Sequence, residues 1–218
     1  MGGVLTGDAV LYLSETPCRK IYFLGTCGLL QRTPGLKIGS IVSPSRCYAQ
    51  ESFTSLLSEP TSIGVETSPD ILLHQGLISF GGGEDSKYPV NPIADSRSGD
   101  LQVATNGPAD GGAATRAVSP AHRMFITEVT GISAGSLKLQ IEKIGEWSKK
   151  GVQVVDLESA AFLAAASQTG LSAAALMVVS DIIEGSPWYR DNNREYVSGS
   201  LQRAARILCE IIKKNQRD

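Results

Sequence analysis

The stretch VVDLESAAF, residues 154–162, ends an apolar run with Asp156 and places Glu158 two residues later, immediately before an alanine-rich segment. Glu158 falls at a strand-to-helix junction. A carboxylate there either caps the helix that begins at Ser159 or accepts hydrogen bonds from two vicinal hydroxyls, as a ribose presents them. Spacing alone admits both. Asp156 shares the strand face of Glu158 if the strand continues, and is then solvated or hydrogen-bonded without a further role. A second candidate is Ser180-Asp181, which closes the run AAALMVVSD. An acid in that place either opens a loop or sits in a partly dry pocket, where loss of water raises its pKa and suits it to handing on a proton. The third is GTCG, Gly25 to Gly28, after the apolar IYFL. Its glycines either let backbone N–H groups approach a small anion or a sugar oxygen, with Thr26 adding a hydroxyl, or they form a tight turn for close packing.

These residues need elements to hold them. TGDAVLYL reads as a short helix capped by Thr6, and KIYFLGTCGLL as a buried strand running into a tight loop at the glycines. After a Pro34-Gly35 turn, LKIGSIVSPSRCYA reads as a strand with Ile38, Ile41 and Val42 as apolar positions. From about residue 79 to 123 the chain is rich in Gly, Pro, Ser, Asn and Asp, which predicts a long loop region, either a binding element or a surface hairpin. MFITEVTG is a strand candidate. SLKLQIEKIGEWSKKG is a helical pattern with Leu137, Ile141 and Ile144 on one face, stopped by Gly151. Then follow a strand at VQVVDLE, a helix at ESAAFLAAASQTG ended by Gly170, a strand at SAAALMVVSD, and a C-terminal helix whose face is Leu201, Ala205, Leu208, Ile211 and Ile212. Alternating strands and helices predict one α/β domain over residues 1–218, three-layered, with a twisted, largely parallel mixed central sheet flanked by helices. In such folds ligands gather beyond the carboxyl ends of the strands.

Composition bounds the rest. The 218 residues are 42% hydrophobic and 19% charged, enough for a sizeable core, and the net charge of -2 offers no general field for nucleic acid or an anionic membrane. No apolar run is long enough to cross a bilayer, and MGGVLTGDAV lacks the pattern of a signal peptide, so a cytoplasmic location is expected. Cys18, Cys27, Cys47 and Cys209 are scattered without CxxC pairs and are expected to be free thiols. His74 and His122 have no partners at metal-ligand spacing; His74 is read as structural.

The order of the motifs carries more than any one of them. GTCG, then LKIGSIV, then VVDLESAAF behind a helix ending in KKG, then VVSD, resembles the nucleoside phosphorylase and nucleosidase superfamily over roughly residues 1–60 and 124–212. The resemblance implies cleavage of the N-glycosidic bond of a purine-like nucleoside. Glu158 matches the glutamate that binds the ribose hydroxyls, with Leu157 in the place of the usual methionine. Asp181 matches the aspartate that protonates or hydrogen-bonds the leaving base, and Gly25, Thr26 and Gly28 would face the nucleophile. It further implies no metal or organic cofactor, with inorganic phosphate as a co-substrate if the chain is a phosphorylase, and a homo-oligomer.

Departures from the family pattern are specific. Where phosphorylases carry a phosphate-binding arginine before the glycine motif, this chain reads Tyr22-Phe23-Leu24, and the family's first strand with its glycine-arginine loop is expected to be missing because the chain begins at MGG. The nucleosidases place an arginine four residues before the aspartate; here Met177 stands there. Arg194 lies thirteen residues beyond Asp181, as in some bacterial hexameric phosphorylases where an arginine assists the aspartate. Trp188 and Tyr189 form either a lid over the base or a satellite cluster. A nucleoside-binding protein without turnover, or a scaffold using the 79–123 region as a contact surface, are the readings from other classes.

Overall fold

A computed structural model of the chain describes residues 2–30, 33–57, 64–82, 126–136, 141–183 and 194–215. Helix α1 (Gly3–Ser14) leads into strand β1 (Lys20–Leu29) and β2 (Ile41–Gln50). After the single turn α2 (Ser52–Ser55) come β3 (Val65–Thr67), α3 (Ile71–Gly82) and β4 (Ile126–Ala134). A 3-10 turn at Ile141–Lys143 precedes α4 (Ile144–Lys149), and β5 (Val154–Asp156), α5 (Ser159–Thr169), β6 (Ser172–Ile182) and α6 (Arg194–Asn215) follow.

The strands lie in the order β3-β2-β4-β5-β1-β6, and β6 pairs back onto β2, so five of them close into a barrel with β3 as an outer addition. The sheet is mixed and largely parallel, as expected, since its two long pairings, β1–β6 and β2–β4, are both parallel. β1–β6, β2–β4 and β4–β5 run parallel, whereas β1–β5, β2–β3 and β2–β6 run antiparallel. Cys27, Leu29, Val42, Val129, Val154, Met177 and Val179 fill the barrel as one apolar cluster. α1 and α5 pack on one side through Val10, Ala161, Phe162 and Ala165. α3 and α6 cover another through Leu73, Leu77, Ala204, Ile207, Leu208 and Ile211.

Local chemistry explains most boundaries. The Thr33–Leu36 turn closes with Leu36 N–H on the Thr33 carbonyl at 3.0 Å, and Gly35 takes the left-handed conformation at φ 84° that such a turn after proline requires. Gly170 ends α5 in the same way, at φ 72°. Ile38 lies in the turn before β2, which starts at Ile41. α1 begins at Gly3, ahead of the expected Thr6 cap, because Gly3 and Gly7 let it close on α2: a methyl group at Gly3 would lie 3.1 Å from Glu51 Oε2, and one at Gly7 would meet the Phe53 ring at 2.2 Å. Packing of this kind outweighs the low helix propensity of two glycines. In α6, Ile212 is 40% exposed and Ala204 and Ile207 replace it on the buried face. Of the expected helix after β4, residues 137–140 fall outside the described residues, and only the 3-10 turn and α4 form before Gly151. The predicted loop region is helical to Gly82, and its remaining residues lie outside those described.

Candidate active site

The GTCG motif is not a loop. β1 continues through it, with Gly25 opposite Met177, Thr26 opposite Val178 and Cys27 opposite Val179 on β6. Two side chains explain why a strand tolerates these glycines. The Phe23 ring lies over Gly25, where an added methyl group would come within 2.6 Å, and that ring packs on Phe162 at 5.6 Å between centroids. Gly28 is covered instead by Ile183 and by the Asp181 carboxylate, whose Oδ2 would be 3.2 Å from an added methyl group.

A β-bulge aims Asp181. The β1–β6 register shifts between Cys27 and Gly28, which pair with Val179 and Asp181, so Ser180 is the extra residue. Ser180 Oγ donates to the Cys27 carbonyl at 3.2 Å and also lies against Asp181 Oδ1. Met177 and Val179 point into the barrel. Strict alternation would send Asp181 in after them, and the inserted residue moves it to the Gly28 face instead.

β5 pairs with β1 at Gly28 and Leu29, opposite Val155 and Val154, and the contact continues through Leu30 N–H on the Gln153 carbonyl at 2.9 Å. Beyond Asp156 the chain leaves the edge of β1 and turns into α5, so the β5 side of the Gly25–Cys27 stretch is not covered by this strand. Because Val155, Gly28 and Asp181 stand side by side on three adjacent strands, the Val155 and Asp181 backbones are about 10 Å apart. The candidate acids Asp156 and Asp181 therefore stand near the point where β5 diverges from β1. β5 runs antiparallel to β1 while β6 runs parallel to it, so the carboxyl ends of β5 and β6 point opposite ways and the expectation of a common carboxyl edge does not hold.

Glu158 is half-buried at the N-cap position, just before α5, and makes no capping hydrogen bond with its side chain. Capping belongs to Asp156. Its Oδ2 accepts from Ser159 N–H at 2.7 Å, while its Oδ1 accepts from Ser133 Oγ at 2.6 Å. Ser133 Oγ in turn accepts from Ala160 N–H at 2.8 Å. Of the two readings of Glu158, capping is thus excluded by the geometry. Asp156 is buried and hydrogen-bonded rather than solvated. The separation of three residues from Asp156 to Ser159 is a usual capping distance and marks this role in the sequence; nothing in ITEVTGISAG singles out Ser133.

Burial pushes the Asp156 carboxyl up to about 6, with the Glu158 charge adding to the rise and the bonds from Ser133 and Ser159 opposing it. Burial first, then the charges of Asp156 and Asp181, hold the Cys27 thiol well above the ordinary range. Cys47, 3.3 Å from Ser159 Oγ, is pushed up to about 12, chiefly by burial. Both stay protonated at neutral pH and act as packing residues.

Thr26 and Leu157 are exposed beside this region. Arg194 is exposed at the start of α6, and among the described residues no ion pair joins it to Asp181. Trp188, Tyr189, Arg190 and His122 lie outside the described residues. His74 is buried, its Nε2 3.5 Å from the Ser43 carbonyl. Met177 is fully buried inside the barrel. Among the described residues, no three His, Cys, Asp or Glu side chains gather as a metal site would need, and no helix is long and apolar enough to cross a membrane.

The sequence profile of the phosphorylase superfamily matches residues 1–213, and the chain belongs to that family. These bounds include the 61–123 region that the motif resemblance left out. Among solved structures, uridine phosphorylase from Vibrio fischeri ES114 superposes with a TM-score of 0.69 at 13% identity, over 98% of this chain and 71% of that one. The 5'-methylthioadenosine/S-adenosyl homocysteine nucleosidase of Campylobacter jejuni gives 0.66 at 12%, over 98% and 78%. AMP nucleosidase from Bacteroides thetaiotaomicron VPI-5482 gives 0.61 at 13%, over 100% and 71%. At these identities the likeness is one of fold. No curated protein sequence matches the chain.

Proposed function

We propose that the chain cleaves the N-glycosidic bond of a purine-like nucleoside, with Glu158 holding the ribose hydroxyls and Asp181 assisting departure of the base. The carrying observation is that Glu158 is relieved of capping its own helix while a β-bulge turns Asp181 out of the barrel onto the Gly28 face. Each device costs regularity, and each leaves a carboxylate directed by something other than the element that bears it.

The chemistry follows from the two charges. As the bond to the base lengthens, positive charge builds on the ribose and negative charge on the base. A carboxyl at the base lowers the barrier by proton donation or hydrogen bonding, and hydroxyls fixed on a carboxylate hold the sugar in register. Gly25, Thr26 and Gly28 border the side from which phosphate or water would attack. Met177 lines the barrel and Phe23 covers Gly25, so neither the arginine that precedes the glycine motif in phosphorylases nor the one found in nucleosidases has a counterpart at those places. We assign Arg194 as the candidate helper of Asp181, no metal or organic cofactor, and a homo-oligomeric state on the family resemblance.

The test is base release from inosine, adenosine, uridine, methylthioadenosine and futalosine, with and without phosphate, followed by chromatography of the sugar. Ribose 1-phosphate formed only with phosphate identifies a phosphorylase, and free sugar under both conditions a nucleosidase. Binding without release from a folded protein would replace the proposal with a nucleoside-binding role.

A further inference from the structure

The first turn of α5 is fastened from outside the helix. Ser159 N–H is held by Asp156, Ala160 N–H by Ser133, and Ser133 is itself held by Asp156. Ser159 Oγ adds contacts of 3.3 Å to Ser133 Oγ and to Cys47 Sγ. Ser133, Ser159 and Cys47 are fully buried and Asp156 nearly so. The network spans β2, β4, β5 and α5, so its geometry is set by the barrel and not by the helix end alone. Losing one partner inside it would leave a buried donor or acceptor without its bond.

A helix end ordinarily takes its cap from the residue at the N-cap position, which here is Glu158. We infer that Asp156 and Ser133 are positioning residues: by satisfying the first two N–H groups of α5, they keep the Glu158 carboxylate off the helix end and directed at the ribose hydroxyls. This rests on the reading of Glu158 given above. If Asp156 is removed, the nearest acid able to serve the orphaned N–H groups is Glu158 itself, and the ribose contact is given up to the helix. Supporting groups one step behind a binding residue commonly decide how well it is aimed.

The test uses the full chain with Asp156→Ala and Ser133→Ala, assayed for kcat and KM on adenosine and 2′-deoxyadenosine, beside thermal melts. The variants should lose about 10- to 100-fold in kcat/KM on the ribonucleoside, the range expected for a misplaced binding group. The deoxynucleoside, which lacks one of the two hydroxyls, should lose less, so the ratio of the two falls. A role in folding alone would depress both substrates together and leave the ratio unchanged. An unchanged ratio in both folded variants, in a chain that otherwise prefers ribonucleosides, overturns the positioning role and leaves the glycosidic-bond reading standing. A wild-type chain that neither binds nor cleaves either nucleoside overturns that reading, and this inference with it.

Discussion

The Asp181 carboxylate rests on Gly28: its Oδ2 lies 3.2 Å from where a side-chain methyl group on that glycine would be. The contact exists because the bulge at Ser180 pairs Asp181, and not its neighbour, with Gly28. Gly28→Ala should displace the carboxylate and the Ile183 methyl that also meets the added carbon, at 2.5 Å. Ile183 can shift its chain end, so the melting temperature should change by only a few degrees. We predict a kcat lower by about 10- to 100-fold, as for other small misplacements of a reacting group. Full activity in a folded Gly28→Ala protein would show that the position of Asp181 over this glycine does not matter.

Removing the acid itself gives a sharper signal. Asp181→Asn keeps the shape and the contact with Ser180 but cannot donate a carboxyl proton, so kcat on substrates with a poor leaving base should fall by about 10² to 10⁴. Substrates whose base leaves readily should suffer less. Comparing kcat across bases of graded leaving ability checks this, and an equal loss on all of them would point to a binding role.

Glu158→Gln separates capping from ribose binding. Its side chain makes no cap bond, so the melting temperature should be close to that of the parent. Ribonucleosides should lose affinity well beyond their 2′-deoxy analogues. A large thermal loss with no change in ribose preference would return Glu158 to a structural role.

Asp156 makes stability depend on pH in a stated direction. Burial raises its carboxyl from the ordinary 3.8 to about 6, against the opposing bonds from Ser133 and Ser159 and alongside the Glu158 charge, with the buried thiols of Cys27 and Cys47 as neighbours. The folded chain therefore holds this proton more tightly than the unfolded one. The stability so gained is complete below about pH 4 and is lost as pH rises through 6, roughly 3 kcal/mol in all. Chemical denaturation of the parent and of Asp156→Asn from pH 4 to 8 tests it: the parent should lose stability relative to the variant over pH 4 to 6 and run parallel above. Curves parallel throughout would mean that the carboxyl is not perturbed.

Much of this fold was legible because local signals agreed with the tertiary outcome. Apolar runs ending in VVD and VVSD became β5 and β6, and Gly170 stopped α5 where its left-handed conformation was needed. GTCG was misread because glycine usually marks a turn, whereas here the room it leaves is filled by the Phe23 ring and the Asp181 carboxylate. Closure of the barrel depends on Ile41 and Val42 finding Val178 and Met177, a pairing far apart in sequence with no local mark. Helix α3 carries apolar residues on both faces, with Leu73 and Leu77 buried and Ile71 and Leu72 exposed, so it has no clear stripe to read. Within the site, the acids were visible from their places at strand ends. Ser133 was not, since a serine inside a strand says nothing until β4 and β5 pair it with Asp156.

The most direct measurement sets the folded wild-type chain beside the double variant Glu158→Gln/Asp181→Asn and follows base release from the best substrate of the nucleoside panel at high enzyme concentration. The account predicts release by the wild type and its loss in the double variant, with circular dichroism spectra that coincide. Equal release by both proteins, or none by a wild type shown to be folded, would contradict it.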